Sequence, residues 1–193
     1  MLITVSDQSA LIITDVQKDF CPGGALPVHE GDRVVPVLNA YQEKFSRVGS
    51  PVVFTRDWHP RNHSSFVENG GIWPVHCVQN TDGAQFHPDL QFPGTALLVS
   101  KAADPNLEAY SSFDGTRLFE MLTRLKVETL FIGGLTTDYC VKCTALDGVN
   151  FGFSVYILKD AIQGVNVNPG DSEKAIEEMS RAGIREVTLN ELA

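Results

Sequence analysis

Asp57, His59 and His63 form the pattern D-x-H-x₃-H within "DWHPRNHSSF", and His76 follows in "WPVHC". The chain has five histidines, and three of them lie within eighteen residues. Imidazole nitrogens and a carboxylate oxygen together suit a first-row divalent ion, Zn²⁺, Fe²⁺ or Mn²⁺, and the residue types do not choose among them. The competing reading is that these are loop histidines bonded to backbone. The third histidine, close to Trp73, favours the metal. Cys77 adjoins His76 but reads as a packing residue, because neighbouring side chains diverge. His29 and His87 lack such company and read as structural.

The elements that must position these residues are legible as short apolar runs. "ALIITDV" (10–16), "PVVFTRD" (51–57), "TALLVSK" (95–101), "ETLFIGGL" (128–135) and "SVYILKD" (154–160) predict strands, with "EVTLN" (186–190) as a sixth. Several are near-continuous rather than alternating, as in parallel strands covered on both faces. Helical patterns lie between them. "DRVVPVLNAYQEKFSRVG" opens on Asp32 as a candidate cap, with Pro36 in its first turn, and stops at Gly49. "DGTRLFEMLTRLK" has Asp114 as a candidate cap and sets Leu118, Met121, Leu122 and Leu125 on one face. "DYCVKCTALDGVNFG" and "DSEKAIEEMSRAG" complete the set. Alternating strand and helix predict an α/β fold with a mostly parallel sheet. Residues 58–94 stand apart as a long loop carrying both tryptophans and four of the five histidines. Loops of this length inside a domain are uncommon and usually functional.

Open parallel sheets bind ligands at the carboxyl ends of their strands. Asp15 follows "LIIT", Asp57 and His59 follow "VVFTR", Lys101 follows "LLVS", and Cys140 closes "LFIGGLTTDYC". Singly, Asp15 reads as a turn residue, Lys101 as a solvated surface lysine and Cys140 as a small buried hydrophobe. Together at one sheet edge they read as a cysteine acyl-transfer site with no histidine in it. Cys140 would sit in the first turns of a helix, where free N–H groups and the dipole, with Lys101 nearby, are expected to depress the thiol pKa. Asp15 would accept the thiol proton, and the turn's N–H groups would form an oxyanion hole. "CVKC" also matches a thioredoxin-like C-x-x-C, but a redox pair leaves Asp15, Lys101 and the histidines unexplained, so Cys143 reads as packing.

Bulk properties bound the function. The 193 residues suit one domain, 1–193, with 58–94 as a metal-binding loop insertion, and 43% hydrophobic residues suffice for a core. The net charge of −9 argues against nucleic acid and against anionic membrane surfaces. No apolar run is long enough to span a bilayer and no signal peptide is evident, so a cytoplasmic protein is expected. Four cysteines in that setting imply free thiols rather than a disulfide framework.

These motifs, in order, resemble the nicotinamidase/pyrazinamidase branch of the isochorismatase-like cysteine hydrolases. The resemblance rests on "LIITDVQKDFCPGGALPV", "FTRDWHPRNHSSF", "WPVHCVQNTDGAQFHPDL", "KAADPNLEAYSSFDG" and "IGGLTTDYCVKCTALD". The pairing of "DWHPRNH" with "WPVHC" indicates the nicotinamidase branch. The resemblance implies a three-layer α-β-α fold with a six-stranded, mostly parallel sheet and helices on both faces. It implies a triad of Asp15, Lys101 and Cys140, and metal ligands Asp57, His59, His63 and His76 around one divalent ion. It implies an oxyanion hole at the N–H groups of Thr136 and Cys140, a cis Leu135–Thr136 peptide, and Phe20 and Trp73 as aromatic walls for a pyridine ring. The reaction implied is hydrolysis of nicotinamide to nicotinate and ammonia in NAD salvage, with pyrazinamide also accepted. A relative acting on another small amide or on an enol ether would not need the metal ligands. A binding module without catalysis would be expected to lack a triad member, and none is missing. Nicotinamide is the expected small-molecule partner, and a homo-oligomer is compatible with all of these features.

Overall fold

The computed structural model describes residues 2–193. Strands β1 (Ser9–Thr14), β2 (Val52–Asp57), β3 (Leu97–Lys101), β4 (Thr129–Leu135), β5 (Ser154–Gln163) and β6 (Arg185–Val187) form one sheet in the order β3-β2-β1-β4-β5-β6. Every pairing is parallel. Helices α1 (Val34–Arg47), α2 (Leu118–Arg124), α3 (Lys142–Asn150) and α4 (Asp171–Arg181) supply the crossovers.

The apolar runs explain the layering. Side chains alternate across a strand, so Leu11 and Ile13 of β1 enter one core with Leu38, Tyr41 and Phe45 of α1. Ala10 and Ile12 enter the other, with Leu118 and Leu122 of α2, Ala145 of α3 and Met179 of α4. The central strands are therefore apolar on both faces, which is why their sequences do not alternate.

Several element boundaries differ from expectation. Neither Asp32 nor Asp114 caps a helix. Asp32 lies inside a 3₁₀ turn over Gly31–Arg33, and α2 begins four residues after Asp114. Pro36 does fall in the first turn of α1, where its missing N–H costs nothing. Leu125 is 44% exposed, because α2 ends at Arg124 before its face can carry that residue inward. The sixth strand stops at Val187, and Leu189–Glu191 turns into a 3₁₀ helix closed by a capping box between Thr188 and Glu191.

The strand order reverses between β1 and β4, so the crevice outside their carboxyl ends is the topological switch point. Thr14 pairs with Gly134 there. Gly134 has φ of +113°, and a Cβ on it would overlap the Thr14 carbonyl oxygen, so glycine alone lets the two strand ends meet this closely. The segment 58–94 crosses this crevice with little regular structure. It is stitched by a 3₁₀ turn at Val67–Asn69 and by isolated bridges between His59 and Val78 and between Phe66 and Trp73. Among the described residues no helix is long and apolar enough to cross a membrane.

Candidate active site

Four strand ends deliver the expected residues to one place. Asp15 follows β1 directly, in a left-handed conformation (φ 50°) that turns the chain out of the sheet. Asp57 ends β2, Lys101 ends β3, and the two are register partners. Their side chains therefore emerge side by side on the same face of the sheet. Cys140 lies in a one-turn π-helix, Thr137–Val141, between β4 and α3. Such turns recur at functional sites because they break the regular backbone pattern.

Lys101 is the hub. It is 1% exposed rather than a surface lysine. Its Nζ lies 3.0 Å from Asp15 Oδ2, 3.4 Å from Cys140 Sγ and 3.1 Å from the Ala109 carbonyl oxygen. It also donates a short hydrogen bond to Asp57 Oδ1. Asp15, Asp57 and Cys140 each place a polar atom within 4.8 Å of the others. Thr55 Oγ1 donates to Asp15 Oδ1 at 2.6 Å and fixes that carboxylate.

One cation between two carboxylates separates their affinities for protons. Burial disfavours both charges. Asp57 overcomes this through Lys101 and the neighbouring histidines, which hold its carboxyl well below the usual range. Asp15 remains raised, because burial and the Asp57 charge outweigh Lys101 and the Thr55 hydrogen bond. Burial alone would push Lys101 down, but the carboxylates drive it well above an ordinary lysine, so it stays charged. Of the two carboxyls, Asp15 is thus the one with the greater affinity for a proton.

The thiol corrects the expectation of a depressed pKa. Burial pushes Cys140 well above an ordinary cysteine, and the lowering by Lys101 is offset by Asp15 and Asp57. A position near a helix start carries no sign that Cys140 is buried beside two carboxylates. The buried thiol is therefore a weaker acid than a free cysteine. Alkylation of Cys140 by iodoacetamide should rise with pH through 9 without a plateau, followed by mass spectrometry of the Cys140 peptide. A plateau below pH 8 would instead reveal a stable resting thiolate.

The metal-donor residues assemble beside this cluster. Asp57, His59 and His76 each offer a ligand atom within 4.8 Å of the others, and all three are buried. Asp57 Oδ2 lies 3.6 Å from His59 Nε2 and 4.0 Å from His76 Nε2. His59 turns Nε2 toward Asp57, while its Nδ1 is buried with no hydrogen-bond partner. Two imidazoles and a carboxylate thus fit a divalent cation. His63 differs from expectation. Its ring lies 4.3 Å from that of His59, but Nδ1 pairs with Ser65 Oγ at 2.7 Å and Nε2 with the Leu107 carbonyl oxygen at 3.2 Å. His63 is therefore adjacent to the donor group, with both ring nitrogens already engaged.

A cleft with about 390 Å³ of empty volume joins the two clusters, reaching Cys140 and Thr136 on one side and Asp57, His59 and His76 on the other. Phe20 and Trp73 line it. Tyr110 and Tyr139 were not anticipated. The Tyr110 hydroxyl accepts a 2.9 Å bond from Trp73 Nε1, and the Tyr139 ring meets Trp73 edge-on at 5.1 Å. Tyr139 precedes Cys140 and was open to discovery from that position, whereas nothing in the sequence marks Tyr110. The Leu135–Thr136 peptide is cis, and the Thr136 N–H has no backbone partner among the described residues. Free cysteines at all four positions agree with the expectation of unbridged thiols.

The sheet order, the switch-point cleft and the buried thiol–carboxylate–lysine cluster define a cysteine-based hydrolase site at the edge of a parallel α/β sheet. Residues 9–191 match the isochorismatase domain, and the chain belongs to that family. It is 40% identical to the nicotinamidase of Escherichia coli K12, with 93% of this chain and 94% of that protein covered. A solved structure of the Pyrococcus horikoshii pyrazinamidase in complex with zinc is 50% identical, with a TM-score of 0.91 over 94% of this chain and 99% of that one. An L. infantum structure in complex with nicotinate is 34% identical, with a TM-score of 0.92 over 100% of this chain and 99% of that one.

Proposed function

We infer that the protein hydrolyses nicotinamide to nicotinate and ammonia, as its relatives' names describe. The observation that carries this reading is the junction in one cleft of a thiol flanked by Asp15 and Lys101 with the Asp57–His59–His76 donor group. Pyrazinamide, with a ring nitrogen in the matching place, is a second substrate on this reading.

In the proposed reaction Asp15 takes the Cys140 proton as the sulfur attacks the carboxamide carbon. The raised carboxyl of Asp15 makes it a stronger base toward this proton than an ordinary carboxylate. The N–H groups of Thr136 and Cys140 receive the developing oxyanion. The C–N bond breaks, Asp15 returns the proton to the leaving ammonia, and a thioester remains on Cys140. Asp15 then takes a proton from water as it attacks the thioester, releasing nicotinate and restoring the thiol. Lys101 stays charged throughout and holds Asp15 against the sulfur. Phe20 and Trp73 sandwich the ring, and exclusion of water strengthens each of these contacts. Asp57, His59 and His76, with His63 once it leaves Ser65 and Leu107, would hold one divalent ion, Zn²⁺, Fe²⁺ or Mn²⁺. When bound, that ion supplies a Lewis-acid site for the pyridine nitrogen and thereby fixes the ring.

On this reading the chain acts as one domain, with 58–94 as its metal-binding loop, and works in the cytoplasm in NAD salvage. Ammonia release from a panel of aromatic amides, with metal analysis of the purified protein, tests it. Turnover of nicotinamide and pyrazinamide but not of benzamide is expected, since benzamide lacks the ring nitrogen. Equal rates on benzamide would remove the metal-grip reading, and no turnover of any pyridine amide would remove the substrate.

A further inference from the structure

We propose that Gln17 is a positioning residue that aims the Asp57 carboxylate between Lys101 and the two histidines, joining the thiol half of the site to the metal half. The inference rests on reading Asp57, His59 and His76 as metal ligands.

The argument begins with the ladder between β1 and β2. Leu11 N–H donates to the Pro51 carbonyl oxygen at 3.0 Å, and Asp15 N–H donates to that of Thr55 at 3.2 Å. The next step of a parallel ladder would bring the main-chain N–H of residue 17 to the Asp57 carbonyl oxygen. That step does not form. Asp15 is left-handed, and Gln17 N–H turns back onto the Asp15 carbonyl oxygen at 2.8 Å. The turn that presents the Asp15 carboxylate thus leaves the buried backbone of Asp57 without its partner on this side. Unpaired backbone groups in such a place are costly.

The Gln17 side chain supplies the missing rung. Its Oε1 accepts from Asp57 N–H at 2.8 Å, and its Nε2 donates to the Asp57 carbonyl oxygen at 2.8 Å. The second Nε2 hydrogen goes to the Ala84 carbonyl oxygen at 3.0 Å, in the loop that carries His59 and His76. Gln17 is 0% exposed. A carboxamide has the donor and acceptor of a peptide group, so it can stand in for one. Glutamate would present only acceptors to two carbonyl oxygens, and leucine would present nothing. With both backbone groups of Asp57 held, its carboxylate divides as observed, Oδ1 on Lys101 and Oδ2 facing His59 and His76.

The test compares zinc affinity, measured by competition with a chromogenic chelator, with the thermal midpoint of the metal-free protein. Gln17→Leu is expected to weaken zinc binding about 10–100-fold, the range seen when partners of metal ligands are removed. Tyr41→Phe is the control. It removes a 2.7 Å hydrogen bond to Asp160 in the α1-side core and is expected to leave zinc affinity unchanged. Zinc binding by Gln17→Leu within twofold of wild type would overturn the proposal, as would an equal loss in Tyr41→Phe. If Gln17→Leu does not fold, Gln17→Asn serves with the same expectation, since it keeps an amide but shortens its reach. His59→Ala separates the two inferences. Loss of zinc there with none in the Gln17 variants overturns the positioning role alone. Zinc retained at full affinity in His59→Ala overturns the metal reading and this proposal with it.

Discussion

Cys140→Ala is expected to abolish ammonia release from nicotinamide, lowering kcat by about 10⁴-fold or more, the scale seen when an acyl-transfer nucleophile is deleted. The sulfur is the thiol that lines the cleft, and it lies 3.4 Å from Lys101 Nζ with Asp15 close by. Alanine leaves Asp15 and Lys101 with nothing to activate. The Asp57–His59–His76 group does not include Cys140, so metal content should match wild type. Cys143→Ala should retain nearly full activity, which separates a single nucleophile from a C-x-x-C redox pair. Single-turnover ammonia assays with metal analysis on the same preparations read both arms. Activity of Cys140→Ala within tenfold of wild type would remove the nucleophile assignment.

Asp15→Asn should follow closely, with a loss of about 10²–10⁴-fold in kcat/KM, the range general acid–base catalysis supplies. The substitution keeps the side-chain shape and the contact with Thr55 but removes the proton acceptor. Stability should not fall in parallel. A carboxyl whose folded pKa is raised favours folding most when protonated, so at pH values above that pKa the ionised Asp15 is a cost to the fold. That cost is relieved as pH falls through the raised value, and an asparagine never incurs it. Lys101 keeps Asp57 as its counter-charge. The expected combination is a large kinetic loss with a thermal midpoint at pH 7 close to wild type. A kcat/KM within tenfold of wild type would sink the base assignment. A collapse of the midpoint with proportionate activity loss would recast Asp15 as a structural ion.

The strands were legible because burial on both faces forces near-continuous apolar runs, and 10–16, 51–57 and 128–135 show them clearly. Helix starts were less so. Asp32 and Asp114 look like caps, yet 3₁₀ and irregular turns consume those residues before the helices begin. A capping residue is a local signal, and where a helix starts is also set by the face it must bury. In the histidine segment, D-x-H-x₃-H treats His59 and His63 as equals. The fold sets His59 with Asp57 and His76, and turns His63 onto Ser65 and Leu107. Ring orientation in a loop depends on partners that come from elsewhere in the chain.

The sequence by itself determined which groups reach the crevice, because a strand's carboxyl end follows from where its apolar run stops. Asp15, Asp57, Lys101 and Cys140 were all placed that way. Only the tertiary structure decided what state those groups are in. Burial pushes the thiol up where the helix start alone would lower it, Lys101 serves two carboxylates at once, and Gln17 replaces a backbone rung. Each of these depends on burial depth and on contacts between residues far apart in the chain, such as Lys101 with Cys140, with Asp57 and with Asp15. Proton affinities in a low-dielectric interior respond to just those contacts, so they emerge only when the strands are side by side.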